Sequence, residues 1–81
     1  MKYESVQHFM QDASNRLQIA MSSEDLEEVK NTEDVVSIQH TFGRGVINYF
    51  GLWNVNKHLG DPAILAYKFT EFFKQELLKG K

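Results

Sequence analysis

Cysteine is missing from the chain altogether, so disulfides and thiol chemistry are unavailable to it. A cysteine-free composition fits a reducing compartment. Pro62 is the single proline, and neither glycine nor proline occurs before Gly43. The first half is therefore read as helices joined by tight polar turns. No apolar run approaches the roughly 18 residues of a membrane-spanning helix. The opening stretch MKYESVQHFMQD is too polar for a signal peptide. A soluble cytoplasmic protein with no membrane partner is the expectation. A dense basic face is also lacking, which argues against nucleic acid as a partner.

What remains is ordinary globular material: 81 residues, 42% hydrophobic and 25% charged, with a formal net charge of −2. That length supports one helical domain over residues 1–81 and a marginal core, for which efficient helix packing or self-association compensates. The charge is unevenly spread. Residues 1–34 hold eight acids against three bases, and residues 35–81 hold six bases against three acids. The acids Glu24, Asp25, Glu27, Glu28, Glu33 and Asp34 suit helix N-termini, where the dipole favours them, and could also meet a basic partner.

Periodicity gives the elements. Tyr3, Val6, Met10, Ala13, Leu17 and Met21 recur at three- and four-residue steps, predicting an amphipathic helix over 3–21 with Phe9 at its edge and Ile19 pointing outward. Ser22 is a good N-cap, Asp25 stands at the capping-box position, and Met21 with Leu26 can form a hydrophobic staple, so a short helix follows at about 23–30. Asn31 or Thr32 then caps a long central helix at about 33–51, fraying near Gly51. After one further turn closed by Gly60, Asp61-Pro62 opens a last helix over 62–78. Leu65, Ala66, Phe69, Phe72, Phe73 and Leu77 share its apolar face.

The central helix is apolar round most of its circumference. Leu52, Gly45, Ile38, Tyr49, Phe42, Val35, Trp53 and Val46 cover one arc, and Val36, Gly43, Ile47 and Phe50 continue it round the back. Two other substantial helices are too few to shelter both sides. The back face Val36, Gly43, Ile47 and Phe50 is therefore the candidate surface for a protein partner or a second copy. Gly43 and Gly45 each cost about 1 kcal/mol relative to alanine inside a helix, which points to close approach by a neighbouring backbone.

A second candidate lies on the polar stripe. His40, Arg44 and Asn48 stand at four-residue steps, and Trp53 and Lys57 follow the helix. Arg for charge, Asn for a hydrogen-bonding edge and Trp for stacking would suit a small anionic ligand or nucleotide. Catalytic chemistry has no candidates: His8, His40 and His58 lie on different segments, and neither a metal-ligand spacing nor a nucleophile motif occurs. No enzyme, metal or cofactor is expected.

The stretch from Met21 onwards resembles a family of small bacterial helical domains of unknown function. The resemblance rests on the acidic helix start SSEDLEEVKNTEDV, on His40 with Phe42-Gly43, on Asn48, on the pair Leu52-Trp53, and on Asp61-Pro62 leading into an aromatic-rich last helix. It covers residues 21–73. The chain departs from it at Ile47, where an arginine is frequent, and in its shorter turn before Pro62. The resemblance implies a helical fold and no particular activity. The fold expected is all-α: a small bundle of three main helices and one short one around the segment 33–51. The function expected is a non-catalytic interaction module, an inhibitor or accessory factor of the kind sometimes encoded by phages.

Overall fold

The computed structural model describes residues 2–79, and these form an all-α bundle: α1 (Val6–Ala20), α2 (Ser23–Asn31), α3 (Arg44–Tyr49) and α4 (Pro62–Lys79). Local capping sets three of the starts. Ser5 Oγ accepts from the backbone N–H of His8 at 3.1 Å, and Ser22 Oγ accepts from that of Asp25 at 3.2 Å. Asp61 Oδ1 accepts from Ala63 and Ile64 N–H at 2.9 and 3.3 Å, beside Pro62 whose missing N–H needs no partner. Tyr3 stands outside α1, on an extended N-terminal strap.

The segment expected to be one continuous helix is three short pieces. Asp34, not Asn31 or Thr32, caps it by accepting from Val36 N–H at 3.1 Å, and a 3₁₀ turn runs over Val35–Ile38. A π-helical stretch follows over Gln39–Gly43, and only then does α3 begin. Gly51, at φ 62°, ends it in a left-handed turn that favours glycine. The change of helix type has a visible partner in α4. Gln39 Nε2 donates to Thr70 Oγ1 at 3.0 Å and to Val35 O at 3.3 Å, while Thr70 Oγ1 donates to Ala66 O at 2.7 Å. Fully buried Thr70 is thereby satisfied on the apolar face of α4.

α4 packs against α1, α2, α3, the 3₁₀ turn and the π stretch, so the last helix is the hub of the bundle. Leu65, Ala66, Phe69 and Phe73 on its inner face are all buried. Phe69 meets Phe9 at a ring separation of 5.3 Å and Phe73 at 5.5 Å; Phe42 stacks on Phe73 at 5.7 Å, and Phe9 meets Phe50 edge-on at 5.6 Å. Lys74 Nζ donates to the carbonyl of Thr32, tying the end of α2 to α4. Glu76 pairs with Lys79 at 3.3 Å.

The glycines of the central segment are not approached by a neighbouring backbone. A Cβ on Gly43 would sit 2.3 Å from Gln39 Oε1, so this glycine makes room for the side chain that reaches Thr70. A Cβ on Gly45 would meet nothing within 4 Å.

Two outcomes follow for stability. Phe69→Ala should cost about 3–5 kcal/mol in urea unfolding, against within ~0.5 kcal/mol for Ile19→Lys at a fully solvated site. Gly45→Ala should stabilise by up to about 1 kcal/mol through helix propensity. Gly43→Ala should lose that gain by forcing Gln39 off Thr70, and a Gln39→Ala background should restore it.

Candidate docking groove

The core takes the middle of the apolar arc of residues 35–50 and leaves its two flanks. Val35, Gly43, Val46 and Phe50 are buried, and Phe42 packs beside them. On one flank Val36 is 55% exposed. On the other, Gly45 is exposed and Tyr49 is 61% exposed. The back face expected from the sequence is therefore not one open patch: Phe50, 2% exposed, is a core residue, Gly43 is buried, Ile47 is half-buried, and only Val36 faces solvent. An arc this wide contains its own inward centre, which a helical wheel cannot locate without knowing where α4 lies.

The Gly45–Tyr49 flank faces the C-terminal end of α1. Between them lies an open cleft of about 240 Å³ lined by Leu17, Met21, Phe42, Gly45, Val46, Tyr49 and Phe50, with almost no polar atom on its surface. Tyr49 is the ridge between this cleft and a second hollow of about 250 Å³, which Trp53 and Val55 line. Trp53 is 59% exposed, and Val55 is exposed beside it. Asn48 and Asn54 share that second hollow, so the purely apolar surface ends at Tyr49 and a mixed one follows on the turn after Gly51.

That turn is held from beneath by hydrogen bonds. Asn56 is fully buried; its Nδ2 donates to Phe50 O at 2.6 Å and its Oδ1 accepts from Tyr3 N–H at 2.8 Å. His58 Nε2 lies 2.6 Å from Tyr3 O, and since a carbonyl only accepts, the imidazole carries its proton there. Leu52 turns inward and is fully buried, while its neighbour Trp53 turns out. The strap is fixed at its other side by Tyr3 OH, which donates to Asp12 Oδ2 at 2.8 Å; Arg16 Nε donates to the same oxygen at 2.7 Å. Burial and the bond to Asp12 raise the Tyr3 phenol well above its ordinary value. The hydrogen bonds from Arg16 and Tyr3 hold the Asp12 carboxyl below its usual range.

The polar stripe is spread over the surface. His40, Arg44, Asn48, Trp53 and Lys57 are all exposed, and the hollow that Asn48 and Trp53 share is not lined by His40, Arg44 or Lys57. A larger hollow, about 660 Å³ alongside α4, mixes Glu33, Asp34, Glu71 and Glu76 with Lys68, Lys74 and Lys79, so its charges largely answer one another. Among the described residues no group of three His, Asp or Glu side chains is placed to hold a metal ion, and no helix is long and apolar enough to cross a membrane. No family model, curated protein or solved structure matches the chain. The residues themselves carry the functional reading.

Tyr3 sets a pH dependence. The folded state favours the neutral phenol, so this stabilisation is complete below the ordinary tyrosine value of about 10 and is lost as pH rises through the higher folded value. Asp12 acts in the opposite sense, contributing above about pH 4 and losing its contribution as pH falls through its lowered value. Urea midpoints should therefore drop from about pH 9 to about pH 11, and Tyr3→Phe should flatten that drop.

Proposed function

We propose that this chain is a non-catalytic interaction module that seats an apolar segment of a partner protein in the cleft between α1 and α3. The single observation that carries the reading is the cleft itself, apolar throughout and left open at Gly45. A soluble domain that keeps Tyr49, Trp53 and Val55 in contact with water beside such a cleft forgoes burial worth about 25 cal/mol per Å² of apolar surface. Trp and Tyr are also the side chains that most often dominate binding energy at protein interfaces. On this reading the docking surface includes Phe50, which lines the cleft, and leaves out Val36, Gly43 and Ile47.

Site-specific photo-crosslinking in lysate of the source organism tests this. A crosslinker at Tyr49 or Trp53 should give a discrete adduct with a foreign protein, and Gly45→Leu in the Trp53 version should abolish it. A crosslinker at Ile19, 87% exposed on the other side of α1, should give none. Identical adducts from Ile19, or a product with the mass of two copies of this chain, would count against the proposal.

A further inference from the structure

We infer that the socket filled by Tyr3 is a tyrosine-binding site, which the chain's own strap occupies and which a peptide-bonded tyrosine supplied from outside fills in its place. The inference does not rest on the cleft between α1 and α3.

Each polar group of Tyr3 is met by a side chain of the folded bundle. Its backbone N–H donates to Asn56 Oδ1 at 2.8 Å, and its carbonyl accepts from His58 Nε2 at 2.6 Å. Its phenol donates to Asp12 Oδ2 at 2.8 Å, an oxygen that Arg16 Nε already holds at 2.7 Å. The ring meets Phe9 edge-on at 5.5 Å and His8 at 5.1 Å, with Phe50 at 6.2 Å. Side chains from α1 and from the turn after Gly51, distant in sequence, thus converge on one residue.

The hold is on that residue above all. Tyr3 is buried, whereas Lys2, Glu4 and Ser5 are exposed. Glu4 N–H reaches His8 Nδ1 at 3.5 Å on the surface, a long contact, and Ser5 serves α1 as its cap. The amide and carbonyl of Tyr3 are taken by side chains and not by a helix or a sheet. Any tyrosine between two peptide bonds offers the same N–H, C=O, ring and hydroxyl.

The lining selects the ligand. Asp12 stands where the hydroxyl arrives, so phenylalanine would set an apolar ring edge against a carboxylate and forgo a charge-assisted bond. An empty socket is the costly state. Fully buried Asn56 would lose its bond to Tyr3 N–H, and Phe9 and Phe50 would lose the ring that meets them. Lifting of the strap is therefore reversed unless an equivalent residue enters, and an equivalent residue is a tyrosine.

The test uses Tyr3→Gly in the intact chain, which removes the ring and hydroxyl and leaves the strap without its anchor. The probe is N-acetyl-L-tyrosinamide, which carries one N–H and one C=O on either side of the tyrosine. The variant should melt below the wild type, and the probe should raise its melting point saturably. N-acetyl-L-phenylalaninamide should bind about tenfold more weakly, and Asp12→Ala in the same background should remove that difference. Wild type, whose strap competes at a high effective concentration, should bind the probe at least about tenfold more weakly than Tyr3→Gly does. If Tyr3→Gly does not fold alone, recovery of helical circular dichroism on adding the probe is the supporting result. Absence of a saturable effect, equal binding of the two analogues, or equal binding by the wild type would overturn the inference.

Discussion

The packing of phenylalanine rings against α4 is the constraint on which the rest of this small structure depends. Phe69 and Phe73 on that helix gather Phe9 from α1 and Phe42 from the π stretch, and Phe9 in turn meets Phe50 from the turn after α3. Without disulfides, a domain of 81 residues has little else with which to offset the conformational entropy of folding. Each fully buried ring contributes about 1.5–3 kcal/mol, a large share of the roughly 5–15 kcal/mol typical of a folded domain. Everything at the surface is arranged around rings already committed to the interior.

That commitment explains why the cleft exists. The segment 35–50 is apolar over more of its circumference than one helix can cover. Val35, Val46 and Phe50 go into the core, Phe50 against Phe9 and Tyr3, and Phe42 stacks on Phe73 of α4, which leaves Gly45 and Tyr49 facing the end of α1 across a gap. The buried polar contacts hold the gap's walls in place. Gln39 and Thr70 fix the π stretch against α4, and Asn56 fixes the turn bearing Trp53 against the N-terminal strap. In the docking proposed above, walls held by such hydrogen bonds would need little reordering, which favours affinity.

Much of the fold was legible because its signals are local. Ser22 with Asp25, and Asp61 with Pro62, announce helix starts through contacts a few residues long. The apolar stripes of α1 and α4 repeat often enough to fix the faces of both. The central segment was not legible in the same way. Its 3₁₀ and π turns follow from long-range contacts such as Gln39 with Thr70, which leave no mark on local periodicity. Its inward direction depends on where α4 lies, and so Phe50 and Gly43, expected on an open back face, are buried instead. Asn56 and Thr70 were missed because a polar residue that becomes fully buried looks, in sequence, like any other polar residue. Gly45 was singled out for its cost in a helix, but the open space above it belongs to the tertiary structure alone.

The claim that this flank is open to solvent can be read directly in the free protein. A neutral paramagnetic chelate added to a dilute NMR sample broadens protons that solvent can reach. Strong broadening of the Gly45 methylene, the Tyr49 ring and the Trp53 indole, with Phe50, Leu52 and Asn56 protected, is the result expected. Protection of Gly45 and Tyr49, or broadening of Phe50, would contradict it.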